Sequence, residues 1–277
     1  MRNLRVDSLT AIYFSPTGTT KKLVQALCKG FEGAVVSEWD LTRPASRDFL
    51  SGRKVSDDLL VIGLPVYEER IPKIILPFLN NLEGHGQPVV MVAVYGNVSP
   101  GMLLPDLAKL LKKKRFFIAA GVEVVAEHSF SSDALPIAKG RPDEIDLQYA
   151  TDCGKKIRNY LESHDNLREP LIRGELLLMA KVLPDDAARV FTSKPDVDLN
   201  KCIRCGICAE WCPGGAIDRL SLKIEDNLCI RCFSCVKRCP AAAREIRFKP
   251  HLGWLAKPVF RRKGRKRREA VLHLSEE

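Results

Sequence analysis

Leu9 to Phe31 reads LTAIYFSPTGTTKKLVQALCKGF. The first six residues are a short apolar run of strand length. Ser15, Pro16, Thr17, Gly18, Thr19 and Thr20 then form a hydroxyl-rich glycine turn, and KKLVQALCKGF places apolar residues at helical spacing. Strand, turn and helix in this order aim several backbone N–H groups and the positive end of the helix dipole at one point. A terminal phosphate monoester can be held there without lysine or arginine. A Ser/Thr-rich turn before a helix also serves simply as an N-cap, and these six residues alone leave both readings open. The chain beyond favours the first. AVVSEWDL after Gly33, DLLVIGLPV from Asp58, PVVMVAVYG from Pro88 and FFIAAGVEVVAE from Phe116 are further strand candidates, most of them separated by amphipathic segments. Five strands alternating with helices predict an α/β domain whose parallel sheet is covered on both faces.

The S-x-T-G-x-T run after the first strand resembles the FMN phosphate loop of flavodoxins, and the resemblance covers roughly residues 5 to 163. It implies a doubly wound parallel five-stranded sheet in the order 2-1-3-4-5, with FMN at the carboxyl ends of the strands. Ser15, Thr17, Gly18, Thr19 and Thr20 would hold the phosphate. The loops Gly63 to Pro72, with Pro65 and Tyr67, and Tyr95 to Gly101, with Gly96 and Asn97, would flank the isoalloxazine. Tyr67 and Tyr95 are candidates to stack on the ring, although an aromatic at a strand end is often core. Arg70 is expected near the pyrimidine end of the flavin, with Glu68 and Glu69 opposing its charge. His128, after the fifth strand, is either a proton donor near flavin N5 or a hydrogen-bonded structural histidine. Cys28 and Cys153 read as buried small hydrophobes.

Toward the other end, C-x-x-C-x-x-C-x-x-x-C-P occurs twice, 27 residues apart: CIRCGICAEWCP from Cys202 to Pro213 and CIRCFSCVKRCP from Cys229 to Pro240. Each iron of a cubane takes one thiolate, and three cysteines two residues apart wrap one cluster from a single turn-rich loop, so eight cysteines can hold two [4Fe-4S] clusters. Structural zinc would use C-x-x-C pairs and leave the third cysteine and the proline of each run without a role. A disulfide scaffold belongs to oxidising compartments, which nothing in the chain suggests. The repeat extends beyond the cysteines, since VDLNKCIRC before the first run parallels IEDNLCIRC before the second. This is a duplicated module.

The module resembles the two-cluster bacterial ferredoxins, in which the last cysteine of each run reaches the other cluster. That resemblance implies Cys202, Cys205, Cys208 and Cys239 around one cluster, and Cys229, Cys232, Cys235 and Cys212 around the second, in a small α+β domain. The expected division is a flavodoxin-like domain over 1–164, a helical connector over 165–194, the two-cluster domain over 195–250 and a basic tail over 251–277. In the connector, Pro170 can open a helix on which Ile172, Leu176, Met179 and Leu183 form an apolar stripe, with Pro184 ending it.

The formal charge of +10 is concentrated in the tail. Residues 241 to 277 hold eleven Lys and Arg against four Asp and Glu, largely in RRKGRKRR from Arg261 to Arg268. A solvated tail, an anionic membrane surface, an acidic redox partner or nucleic acid each fit such a run, though no nucleic-acid-binding motif accompanies it. No run of eighteen apolar residues and no signal-peptide pattern occurs, so the expectation is a cytoplasmic protein.

As a whole the chain resembles the flavodoxin-ferredoxin fusion proteins of anaerobic prokaryotes. The resemblance implies an electron carrier between two [4Fe-4S] clusters and FMN, exchanging electrons with a redox protein, and it assigns no catalytic residue. The alternative is an FMN-dependent reductase of a small substrate fed by the clusters, although no second glycine-rich strand-turn-helix suggests a nicotinamide site. A redox regulator acting through the basic tail is a third. The sequence sets neither partner nor oligomeric state.

Overall fold

A computed structural model describes residues 4–178, 186–250, 258, 260–262, 264 and 266–275. Strands β1 (Ser8–Tyr13), β2 (Val35–Asp40), β3 (Leu59–Pro65), β4 (Pro88–Tyr95) and β5 (Phe117–Val125) alternate with helices α1 (Thr19–Lys29), α2 (Pro44–Leu50), α3 (Leu76–Asn80), α4 (Leu103–Lys113) and α5 (Glu144–Ser163). The five strands run parallel in the order β2-β1-β3-β4-β5, the flavodoxin-like order.

The patterning explains this arrangement. β3 and β4 are near-continuous runs of Val, Leu, Ile and Met because both faces of their sheet are covered. Successive side chains point to opposite faces. Leu9, Ala11 and Tyr13 pack with Leu23, Leu27 and Ile157 on one side, and Ile12 packs with Ile62, Met91, Leu107 and Leu111 on the other. α5 crosses α1 at Gly154, where it has no side chain. A Cβ on Gly154 would lie 2.1 Å from the Leu27 carbonyl oxygen, so only glycine permits that approach.

The sheet has six strands, not five. β6 (Val271–Leu274), from the stretch expected to be tail, pairs antiparallel with β5, with Ala120 opposite Leu274 and Glu123 opposite Val271. The short alternating VLHL segment was masked by the basic run before it. An open β5 edge offers unpaired backbone groups that such a segment satisfies. The join is reinforced by charge: Arg267 donates to both carboxylate oxygens of Asp143 at 2.7 and 3.1 Å, and Arg141 donates to the Arg268 carbonyl at 3.0 Å. Asp143 is itself the N-cap of α5 in a reciprocal capping box with Asp146.

The connector departs from the expected helix. Residues 171–177 have no regular structure, and of the apolar stripe Met179 and Leu183 lie outside the described residues. This segment follows the flavodoxin-like unit closely. Glu169 accepts from the Ile118 N–H at 2.9 Å, Leu177 N–H donates to Glu69 Oε2 at 2.7 Å, and a Cβ on Gly174 would meet the Gly101 carbonyl oxygen at 2.4 Å. Those tertiary contacts hold the backbone away from helical geometry, and Gly174 lowers the local helix propensity. Beyond it come α6 (Ala187–Phe191) and the cysteine module with its four-residue helices α7 (Ile207–Glu210) and α8 (Ser234–Lys237). Among the described residues no helix is long and apolar enough to cross a membrane.

Candidate redox centres and the junction between them

The duplication in sequence is repeated in backbone conformation. Arg204 and Arg231 have φ of 55° and 54°, Gly206 and Phe233 of 75° and 56°, and Gly215 and Ala242 of 62° and 46°, each pair 27 residues apart. These left-handed turns wind the chain around two cavities. One is lined by Cys202, Cys205, Cys208 and Cys239, the other by Cys212, Cys229, Cys232 and Cys235. The two crossed sets that the ferredoxin resemblance implies are thus each gathered around one cavity. Ala216 N–H donates to Cys212 Sγ and Ala243 N–H to Cys239 Sγ, both at 3.2 Å. Among the described residues no three or more His, Cys, Asp or Glu converge closely enough for a single metal ion; the thiols surround a volume instead.

The two sets differ in exposure. Cys205 is exposed, whereas Cys232 and Cys235 are each only 8% exposed. Burial pushes the Cys235 thiol up to about 12 and the Cys232 thiol well above its ordinary range. Such thiols become thiolates only where metal replaces the proton. The donor set thus fits iron-sulfur ligation.

At the carboxyl end of β1, Gly18 sits at φ +87° as the N-cap of α1, and Thr17 Oγ1 and Thr19 Oγ1 lie 3.3 Å apart. Thr19 and Thr20 open the helix, so their N–H groups have no intrahelical acceptor. Ser15 has a structural part. Its N–H donates to Thr42 Oγ1 and its Oγ accepts from Lys21 N–H, both at 2.9 Å. The hydroxyls, helix terminus and left-handed glycine fit a phosphate group. A cation reaches the loop as well, contrary to the expectation of a charge-free site: a Cβ on Gly18 would meet only Arg238 Nη2, at 4.0 Å.

Arg238 belongs to the cysteine module, which docks on this loop. Ser234 Oγ donates to the Pro16 carbonyl at 2.7 Å and Arg238 Nε to the same oxygen at 2.8 Å. The Arg238 guanidinium lies 4.2 Å from the Trp211 ring centroid, with Arg43 at 5.3 Å from the same ring. Arg47 of α2 donates to the Pro213 carbonyl at 2.7 Å, and Lys237 reaches Glu127 and the Ser131 carbonyl at 2.6 and 2.7 Å. Phe233 is 1% exposed and meets Phe130 edge-on at 5.3 Å.

Sequence reasoning missed the docking roles of Arg238, Phe233, Ser234 and Arg47. A signal was present. The two copies read CIRCG and CIRCF, so a phenylalanine replaces glycine at a left-handed position. That substitution is costly unless burial offsets it.

The loops expected to flank a flavin ring are both engaged. Tyr67 meets Phe14 edge-on with centroids 6.4 Å apart; burial first, and the Cys232 side chain second, raise its hydroxyl well above the ordinary range. Ile230, which lines the cavity of Cys212, Cys229, Cys232 and Cys235, packs on the same apolar core as Val66 and Tyr67 of this loop. Glu68 accepts from Ala188 N–H at 3.0 Å, and Arg70, expected beside a flavin, pairs with Asp106 at 3.0 Å. Asn97 is 1% exposed and its amide donates to the Lys266 carbonyl at 2.9 Å; burial raises Tyr95, with Arg268 opposing. Gly96 packs against His128, whose Cδ2 would be 2.3 Å from a Cβ there. The C-terminal segment, not solvent, covers the loop after β4.

His128 is enclosed by Phe130 and Phe260, with ring centroids 4.9 and 5.1 Å away, and its Nδ1 accepts from Phe130 N–H at 3.0 Å. Desolvation, helped by Lys237, pushes it down to about 4, which fits the structural reading. Cys28 and Cys153 are buried as expected, and burial raises both thiols, to about 12 and about 11.

Residues 194–240 match the family model for the 4Fe-4S dicluster domain. No curated protein sequence matches the chain. Among solved structures, a flavodoxin from the domain Archaea is 15% identical, covering 56% of this chain and 98% of its own at a TM-score of 0.41. A short-chain flavodoxin associated with a non-canonical PDU bacterial microcompartment is 17% identical, covering 54% and 95% at 0.40. The Flv1 flavodiiron core from Synechocystis sp. PCC6803 is 16% identical, covering 57% of this chain and 36% of its own at 0.41. The chain thus joins an α/β unit whose parallel strands take the flavodoxin-like order to a segment, residues 194–240, that matches the 4Fe-4S dicluster domain.

Proposed function

We propose that this protein is an electron carrier that passes electrons between two [4Fe-4S] clusters and FMN. The carrying observation is the junction. The cysteine module sits on the phosphate-type loop through Ser234 and Arg238, and Ile230, which lines the cavity of Cys212, Cys229, Cys232 and Cys235, packs on the same apolar core as Tyr67 of the flavodoxin-like unit. Two redox centres exchange electrons only when held close, and this docking does that with buried aromatic packing and charge-assisted bonds.

FMN, when bound, supplies chemistry in which two-electron and one-electron transfers meet, whereas a cubane passes single electrons. The chain's own residues bind and order. Thr17, Thr19 and Thr20 present hydroxyl and N–H donors, Gly18 keeps the loop open, and Pro65 and Tyr67 stand at the carboxyl end of β3, where the flavin ring would lie. Cys205, on the exposed set, marks the face toward an external redox protein, and the buried set marks the face toward the flavin.

Anaerobic purification with iron, sulfide and flavin analysis, followed by reductive titration, tests this reading. About eight irons and one FMN per chain are expected. Two zincs and no iron would refute it, and rapid turnover of a small molecule by reduced protein would move the reading to an enzyme. Gly18→Val, which places a branched side chain in a left-handed turn, is expected to abolish flavin binding while leaving the iron content unchanged.

A further inference from the structure

The two copies of the cysteine module share a backbone but not their charges. Arg204 and Arg231 stand at the same place in C-I-R-C with nearly the same φ, 55° and 54°. Arg204 is exposed, while Arg231 is 4% exposed and lines the cavity of Cys212, Cys229, Cys232 and Cys235. Its Nη2 pairs with Asp226 at 2.5 Å, and its Nε and Nη1 have no hydrogen-bond partner.

The other cavity also has a buried arginine, from a position that is not equivalent. Arg244 stands where the first copy has Ile217, is 4% exposed and lines the cavity of Cys202, Cys205, Cys208 and Cys239. Its Nη1 and Nη2 donate to the Pro195 and Leu222 carbonyls at 2.5 and 2.6 Å, and its Nε is left without a partner. Pro195 lines the cavity of Cys212, Cys229, Cys232 and Cys235, and Leu222 lines the cavity of Cys202, Cys205, Cys208 and Cys239, so Arg244 bridges residues of both.

A buried guanidinium with unpaired N–H groups is unfavourable unless an anion meets it. A cubane held by four thiolates is anionic in both working states, and its sulfurs accept hydrogen bonds. We propose that Arg231 and Arg244 are the buried counter-cations of the two clusters, Arg231 serving the cluster at the flavodoxin-like junction alone and Arg244 serving both. This rests on the cluster reading given above. Each cation favours the more negative reduced state of the cluster it faces and so raises its potential.

The test is an EPR-monitored redox titration of the full-length protein prepared anaerobically, with the two clusters assigned through Cys205→Ser. Arg231→Gln is expected to lower the junction cluster's reduced-to-oxidised ratio about tenfold at fixed potential, a shift of about 59 mV for one electron, and to leave the other cluster in place. Arg244→Gln should lower both, and Arg204→Gln neither. Asp226→Asn, at a carboxylate 57% exposed and therefore safe for folding, frees Arg231 from its partner and should raise the junction cluster's potential. An unmoved junction cluster in Asp226→Asn or Arg231→Gln, or an equal shift in Arg204→Gln, overturns the proposal. Iron and sulfide in the wild type report separately on the cluster reading: their absence sinks that reading, and their presence with unmoved potentials sinks only this one.

Discussion

Arg238 Nε donates to the Pro16 carbonyl oxygen at 2.8 Å across 222 residues of chain. One side chain thereby joins the last helix of the cysteine module to the turn that would hold a phosphate. Its guanidinium is stacked on Trp211, which fixes the fork in place. Burial lowers the Arg238 pKa, with Asp40 and Cys232 opposing, and the group stays charged at neutral pH.

This position predicts a dependence of flavin affinity on the cysteine module. Removing a charge-assisted bond costs about 1.5–3 kcal/mol, so Arg238→Ala should weaken FMN binding by about 10- to 100-fold. Arg238→Lys, unable to stack and donate in the same fork, should recover part of the loss. Quenching of flavin fluorescence on titration measures both, and wild-type affinity in Arg238→Ala would remove the arginine from the site.

Phe233 holds a left-handed backbone at φ 56° in exchange for burial among Phe130, Phe248 and Phe260. Phe233→Gly restores the residue of the other copy and relieves that backbone, yet it deletes a core aromatic. Truncating a buried phenylalanine costs about 3–5 kcal/mol and the relief returns about 1, so the variant should be less stable by about 2–4 kcal/mol. The loss should localise to the junction. Amide exchange around Ser131 and Leu135 should accelerate more than exchange in β3, and uniform acceleration would count against a docking role.

His128 is expected to titrate near 4, because desolvation by burial and then the Lys237 charge both disfavour its charged form. The folded value lies below the ordinary value of about 6.5, so the unfolded chain binds the extra proton first. Its contribution to stability is complete above about pH 6.5 and is lost as pH falls toward 4. Nitrogen-detected NMR should find the proton on Nε2, since Nδ1 accepts from Phe130 N–H. A midpoint above 6 would contradict the enclosed geometry.

Arg267 and Asp143 fasten the last strand. The Arg267 guanidinium holds the Asp143 carboxyl below its usual range, while burial opposes. That stabilisation is present above the ordinary carboxylate value of about 3.9 and is lost as pH falls through and below it. The pair is partly solvated, at 46% and 38% side-chain exposure, so solvent screening keeps its contribution small. Arg267→Ala should speed amide exchange across Val271–Leu274 by up to about fivefold at neutral pH, and the difference should narrow progressively as pH falls below the ordinary carboxylate value of about 3.9. No difference at neutral pH would leave β6 held by backbone pairing alone.

Two things about this protein were decided locally, and its sequence was enough to read them. The run from Leu9 to Phe31 dictates strand, turn and helix because apolar periodicity and a left-handed glycine act within a few residues. The cysteine spacing likewise dictates two wrapped cavities, since each loop closes over a handful of residues and the duplication shows the pattern twice. Strand-type runs at Asp58, Pro88 and Phe116 fell into place for the same reason: continuous burial leaves a continuous apolar record. What only the tertiary structure decided concerns partners far apart in the chain. Arg238 meeting Pro16, Arg267 meeting Asp143 and Val271–Leu274 completing the β5 edge each depend on how separate pieces close on one another, and polar or charged residues carry no periodic mark of the carbonyl or carboxylate they will find. The helix expected after Pro170 is absent over residues 171–177 for that reason as well: the apolar spacing was real, but Glu169, Gly174 and Leu177 are held by distant groups whose bonds outweigh a weak local preference.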